Sequence, residues 1–291
     1  MGAFQVRGEV AVSRVSTDDI SVVVIVPSAR WRISVVREVW AYRELLYFLA
    51  WKDLKLRYKQ TALGAGWALL QPLSTMVVFS VFFGRLGGLP SDGLPYPVFT
   101  YAALLPWTLF AHVLTQSSQS IVTHQDLVTK VYFPRLLIVL APVGVGLVDF
   151  GIAFTVLLAM MLWYGLPPSA AILAVPLFVA LAAVTAVAVG LWLAAANVRY
   201  RDVRYALPFL TNLWLFASPV AYPASLVPER WRWLYGLNPM AGAIEGFRWA
   251  LLGGGGLPLT LLAVSSAMTL ILLGGGLSYF ARLERTFADV V

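Results

Sequence analysis

Residues 150–198 read FGIAFTVLLAMMLWYGLPPSAAILAVPLFVALAAVTAVAVGLWLAAANV, 49 residues without one Asp, Glu, Lys or Arg. A bilayer crossing takes about 20 apolar residues, so this run holds two crossings, with Leu166-Pro167-Pro168 as the break between them. Working outward, residues 60–84, 93–125, 205–228 and 249–281 are charge-free as well. Together these stretches place six spans at 62–84, 96–121, 137–163, 170–196, 206–222 and 257–280, the third of which carries Asp149. With 60% apolar and 12% charged residues in 291, the chain lacks the polar surface of a soluble protein. The fold class expected is all-α: a polytopic membrane protein with six transmembrane helices, an N-terminal amphipathic interfacial helix and short outer re-entrant helices.

Charge sets the orientation. With the N-terminus inside, 17 of the 21 lysines and arginines fall on the inner side, and only Arg85, Arg230, Arg232 and Arg248 lie outside. That asymmetry follows the positive-inside rule and puts both termini in the cytoplasm; an odd number of spans would spoil it. Nucleic-acid binding is the weaker reading of the +7 formal charge. Cysteine is absent, which removes disulfides and thiolate metal sites.

Residues 1–30 are expected to be a cytoplasmic segment, because Val22 to Val26 is too short for a signal core and follows Asp18-Asp19. Residues 10–26 alternate weakly and fit either a strand or disorder. Over 31–59, Val36, Val39, Trp40, Tyr47 and Leu54 share a helical stripe, with Lys52, Lys55 and Lys59 recurring at helical spacing. This predicts an amphipathic helix on the inner membrane surface, the alternative being a soluble helix packed on a partner subunit. The six-span domain then covers 60–291. Within it, residues 224–254 carry Trp231, Trp233, Tyr235, Phe247 and Trp249. Asn238 followed by Pro239 predicts a helix start, and the glycines from Gly253 predict its stop near Leu252. The segment reads as short helices dipping into the outer leaflet, against a plain surface loop.

The motifs that are missing narrow the function. No Walker A pattern or Gly-Lys dipeptide occurs, so the chain does not cradle a nucleotide in the P-loop manner. His112 and His124 are too isolated for zinc. Asp149 has no second carboxylate beside it for a proton relay and calls for an interhelical hydrogen bond or a transport role. Trp67, Phe82, Phe83, Trp214 and Phe216 are candidate channel-lining aromatics, where a ring face could stack on sugar, or lipid-facing packing. In the loop 123–136, Tyr132 and Phe133 are costly to expose unless a partner protein or the headgroup layer covers them.

Several stretches carry a resemblance: DLKLRYKQTALGAGW from Asp53 with Gln71-Pro72, LVTKVYFPR over 127–135, NVRYRDV over 197–203, SPVAYP over 218–223, Asn238-Pro239-Met240, and GFRW over 246–249. In this order, over about 40–285, the chain resembles the permease subunit of bacterial ATP-binding-cassette polysaccharide exporters of the O-antigen and teichoic acid type. The resemblance implies a homodimer in the bacterial inner membrane, served by two cytoplasmic nucleotide-binding ATPase subunits. ATP and magnesium would sit on those partners, with no cofactor, metal or catalytic residue on this chain. It implies that 123–136 is a coupling helix, through Asp126, Leu127, Lys130, Tyr132, Phe133, Pro134 and Arg135, and that a lipid-linked polysaccharide is exported. Lys52, Lys55, Arg57, Lys59 and Arg204 are candidate contacts for the carrier's diphosphate, with ordinary positive-inside topology as the alternative. The rival functions are a drug or small-lipid exporter of the same superfamily and a membrane-embedded glycan ligase or polymerase. The latter would have only Asp92, Glu229 and Glu245 in the outer loops.

Overall fold

The computed structural model describes residues 37, 39–59, 64, 66–130, 133–168, 170–253 and 256–284. The expectations for residues 1–30, for the first turns of the 31–59 helix and for Tyr132 lie outside them. Residues up to Tyr42 form a unit of their own, of which Arg37 and 39–41 are described as helix. The second unit begins at Arg43, and its described residues form helices without strands.

That unit runs α1 (Arg43–Tyr58), α2 (Gly66–Phe79, continued as a π-helix over Ser80–Leu86), α3 (Tyr96–Thr123) and the short α4 (Gln125–Lys130). It continues with α5 (Leu136–Trp163), α6 (Val175–Arg199) behind a 3-10 turn at Ala170–Ala174, α7 (Val203–Ala217), α8 (Glu229–Tyr235), α9 (Pro239–Leu252) and α10 (Leu259–Glu284). Five of these are long and apolar enough to cross a membrane: Gly66–Leu86, Tyr96–Thr123, Leu136–Trp163, Ala170–Arg199 and Leu259–Glu284. They match five of the six expected spans. The remaining one, expected over 206–222, is shorter: α7 has 15 residues, about 22 Å at the helical rise. Its stop coincides with Ser218-Pro219, where Ser218 takes the extended angles (φ −102°, ψ 154°) that a proline favours in its neighbour, although Leu207 before Pro208 stays helical within α7.

α3 is the axis of the bundle, and Phe99, Tyr101, Leu104, Leu105, Phe110 and Leu114 on it are all fully buried. α5 runs antiparallel to it: the Tyr101 hydroxyl meets the Ala153 carbonyl, Gly146 sits against Leu109 and Val113, and the Ser117 hydroxyl donates to the Val139 carbonyl at 2.7 Å. On another flank, Gly190 of α6 admits Ser117, and Asn197 Nδ2 donates to the Ser118 carbonyl at 3.1 Å. α6 and α10 run in the same direction, joined by the Thr185–Thr269 hydroxyl pair at 2.9 Å and by Trp192, which donates to the Leu272 carbonyl and stacks on Tyr279. Small residues let these backbones approach, as they do between membrane helices generally: a Cβ on Gly276 would lie 2.8 Å from the Ala188 carbonyl oxygen.

α9 is a buried helix, not a surface loop. As the sequence predicts, Asn238 caps it by accepting the Met240 amide at 3.1 Å, Pro239 opens it, and Gly253 closes it at φ 64°, where a Cβ is disfavoured. It touches the first turns of three spans: Phe178 of α6 at Gly246, Leu262 and Ser265 of α10 at Gly242, and Phe99 of α3 under Arg248. The starts of α3, α6 and α10 therefore share one end of the molecule, as alternating crossings demand.

A Cβ on Gly246 would fall 2.2 Å from the Phe178 ring. Gly246→Ala is expected to cost about 1–3 kcal/mol of stability, read as a lower thermal midpoint of detergent-purified protein. Phe178→Leu in the same chain should restore part of the loss.

Candidate functional site

Asp149 sits at the middle of the 28-residue α5, where a lone carboxylate is expensive. α1 supplies its partners. Arg57 Nη2 lies 2.7 Å from Asp149 Oδ2, and the Tyr58 hydroxyl donates to Oδ1, so both carboxylate oxygens are engaged. Arg57 Nη1 also lies 3.0 Å from His112 Nδ1 on α3. A guanidinium only donates, so Nδ1 accepts and the imidazole is the neutral tautomer with its proton on Nε2. Burial, then the bond to Asp149, push the Tyr58 hydroxyl up to about 12, which keeps it the donor. At its middle α1 packs Ala50 against Gly144, so its second half runs beside α5 from Gly144 to Asp149.

This cluster forms one wall of an open cavity of ≈ 460 Å³ between α2, α3, α5 and α7. Trp67, Gln71 and Thr75 of α2 line it, with Trp107, Thr108, Thr115 and Gln116 of α3 and Thr211 and Asn212 of α7. Of the expected channel aromatics, Trp67 is therefore on the cavity. Phe83 and Phe216 meet at a centroid distance of 6.4 Å, both against Phe79. Phe82 is exposed on the π-helix. Trp214 turns elsewhere, edge-on to Phe110 and donating to Asn238 Oδ1 at 2.9 Å.

The candidate diphosphate contacts differ in their surroundings. Arg57 is held by Asp149 and His112. Lys55 lies 5.4 Å over the Trp51 ring, and Arg204 stacks on Tyr205 while donating to its hydroxyl. Lys52 is half-buried and Lys59 exposed on the same α1 end.

The expected coupling segment is a short exposed helix, α4, where Lys130 Nζ donates to Asp126 at 2.9 Å and holds that carboxyl below its ordinary range. Leu127 is half-buried. One expectation fails: Phe133 needs no partner or headgroup layer to cover it, since the chain itself buries it to 8% exposure. Behind it Pro134 opens the turn into α5, and Arg135 is fixed to the end of α10, its amide to the Glu284 carboxylate at 3.4 Å and its guanidinium to the Glu284 carbonyl.

At the opposite end Arg248 is buried, its guanidinium 3.6 Å over the Phe99 ring. It donates to the Phe99 and Val220 carbonyls and to Glu245, which also accepts the Ala224 amide. Asp92 takes the Ser225 hydroxyl, and Glu229 pairs with Arg232. These three outer carboxylates are thus bonded within the fold. Asn238 spends its whole side chain here as well, donating to Ala217 and Ser218 while accepting from Trp214 and Met240.

The sequence singled out Asp149 without its partners. A buried carboxylate demands a cation, and Arg57 is the one that reaches it, although by its place among Lys52, Lys55 and Lys59 it reads as a headgroup contact; His112 joins the cluster through Arg57.

The family model for ABC-2 type transporters matches residues 44–252. Among curated proteins, the O-antigen export system permease protein RfbA of Myxococcus xanthus is 30% identical over 263 residues, covering 89% of this chain and 100% of the relative. The protein of the same name from Klebsiella pneumoniae is 27% identical, covering 85% of this chain and 95% of its own length. The polysialic acid transport protein KpsM of Escherichia coli is 22% identical, covering 76% and 87%.

Removing one member of the ion pair leaves the other charge partly buried and unpaired, which costs more than removing both. Asp149→Leu is expected to lower the stability of the purified protein by about 1–3 kcal/mol, the half-exposure of Arg57 softening the loss. The double variant Arg57→Met with Asp149→Leu should recover most of it in thermal unfolding; strictly additive losses would show that the pair is not coupled.

Proposed function

The chain belongs to the ABC-2 type transporter family, and from that premise we propose that it is the membrane permease of an ATP-driven exporter. Its cargo in this reading is a lipid-linked polysaccharide, an O-antigen or similar glycan, moved from the cytoplasm to the outer side of the inner membrane. The observation that carries the reading is the alignment with the Myxococcus xanthus permease over the whole of that protein. The polysialic acid transporter among the relatives points to the same class of cargo, a polymer of sugars.

Family membership brings with it a nucleotide-binding ATPase on another chain, in keeping with a sequence that has no Walker A pattern. α4 is the docking element for that subunit in our reading: it projects Asp126 and Lys130 at more than 70% side-chain exposure between the ends of α3 and α5. The complex has two copies of this chain and two of the ATPase, with both termini in the cytoplasm. α2 and α7 form the seam between the copies. Support for that comes from their exposed faces, Trp67, Leu70, Phe82, Tyr205, Phe209 and Phe216, beside a polar cavity that lipid would not favour. α8 and α9 sit in the outer leaflet, with Trp231 and Trp233 exposed toward the headgroups. ATP-driven closure of the nucleotide-binding subunits displaces α4, and the spans shift so that the glycan advances outward.

A strain deleted for this chain should accumulate polymer in the cytoplasm and lose it from the cell surface, and the intact chain should restore export; undiminished surface polymer would refute the reading. Lys130→Glu with Leu127→Glu should leave the permease in the membrane but reduce the ATPase recovered with it on affinity purification.

A further inference from the structure

The cavity between α2, α3, α5 and α7 has a lining that the ion pair does not explain. Gln71 on α2, Gln116 on α3 and Asn212 on α7 all face it and are exposed. Among the described residues their side-chain amides make no hydrogen bond. Lipid tails cannot hydrogen-bond an amide, so three of them converging from three helices mark a groove filled by water or by a polar ligand.

The chemistry of the lining selects among ligands. Amides both donate and accept, and so do the hydroxyls of Thr75 and Thr108, which also bond their own helices at Gln71 and Leu105. Trp67 adds a half-exposed indole at the rim. The charges in the wall cancel: Arg57 and Asp149 face each other at 2.7 Å, and His112 is neutral while it accepts from Arg57. An anion such as a diphosphate would need a free cation here, and the guanidinium is already taken. A ligand rich in hydroxyls, with apolar C–H faces and no charge, matches each of these features. The volume of ≈ 460 Å³ falls in the range of small-molecule sites, about 300–1,000 Å³.

We infer that this groove is a contact site for uncharged sugar units of the exported polymer, with Gln71, Gln116 and Asn212 exchanging hydrogen bonds with ring hydroxyls and Trp67 offering a stacking face. The inference rests on the exporter reading and sharpens it: the groove takes neutral sugars, and the anionic carrier is held elsewhere. Unpaired amides suit a moving chain, because they can satisfy hydroxyls in successive orientations without a fixed register.

The chain has no cysteine of its own, which makes single-cysteine labelling clean. Gln71→Cys, Gln116→Cys and Asn212→Cys would be compared with Leu270→Cys and Ile271→Cys on the exposed apolar face of α10, each in the complete complex with its ATPase. The probe is a membrane-impermeant maleimide, applied to vesicles from cells that make the polymer and from cells that cannot. The groove cysteines should react, those on α10 should not, and polymer should slow labelling severalfold in the groove alone. Gln116→Leu with Asn212→Leu should reduce polymer exported per ATP hydrolysed at unchanged membrane level, and Gln116→Asn should retain export. Absent labelling in both strains, as when a second copy seals the groove, overturns the inference, and so does labelling indifferent to polymer. Either failure leaves the exporter reading intact if the deletion strain still loses surface polymer.

Discussion

Asp149 stands at the middle of a helix long and apolar enough to cross a bilayer, and the partners it needs shape what surrounds it. Lipid offers a carboxylate nothing, so a cation and a donor have to come from the protein. Arg57 and Tyr58 supply them from α1, and in doing so they tie that helix to the bundle at mid-span. The same requirement is met repeatedly around α3. The Ser117 hydroxyl reaches α5, Asn197 reaches Ser118, and at the far end Arg248 finds two carbonyls, a carboxylate and a ring face. Each of these bonds fixes the axial register of one helix against another, which apolar packing alone does loosely.

Satisfied polar groups and unsatisfied ones divide the molecule into two sides. Along α10 the exposed residues include Leu259, Leu270 and Ile271, and on α6 and the turn before it Leu173 and Leu177, all at home in lipid. The opposite side presents α2 and α7, with aromatic and aliphatic residues interrupted by Gln71 and Asn212. Lipid fits the first side without cost. On the second, the amides require a polar neighbour, so the asymmetry follows from hydrogen-bond accounting and needs no map of a partner.

Much of this was legible from residue order. The charge-free runs located five crossings to within a few residues, since a buried helix needs length and apolarity whatever its neighbours are. Asn238-Pro239 and Gly253 fixed α9 because capping is a local property of the chain. Partnership was less legible. Arg57 lies 92 positions from Asp149, and nothing in the sequence distinguished it from Lys55 or Lys59 as a headgroup contact until the helices were packed. The cover of Phe133 is hidden in the sequence for the same reason: in a charged loop it calls for a partner or the headgroup layer, but the chain itself folds over it. The helix expected over 206–222 ends at Ala217, because hydropathy does not register the extended backbone that Ser218 takes before Pro219.

α10 connects the loop that holds α4 to the buried helix α9. Its last residue, Glu284, is held by Arg135, at the point where the loop containing α4 enters α5. Its first turns, at Leu262 and Ser265, hold α9, with the Ser265 hydroxyl donating to the Gly236 and Asn238 carbonyls. Between these ends lie 26 helical residues, about 39 Å of stiff rod, bound sideways to α6 through Thr269, Leu272 and Tyr279. Contiguity of this kind is the necessary condition for coupling and not coupling itself. It does mean that the loop facing one side and the buried helix at the other share a single intervening element. A shift of Arg135 that kept its grip on Glu284 would have to be absorbed by sliding α10 on α6 or passed on to α9. The stacked and hydrogen-bonded contacts along α6 resist the sliding, so α6 and α10 would have to move together, and α9, packed on Phe178 of the one and Ser265 of the other, would have to follow both.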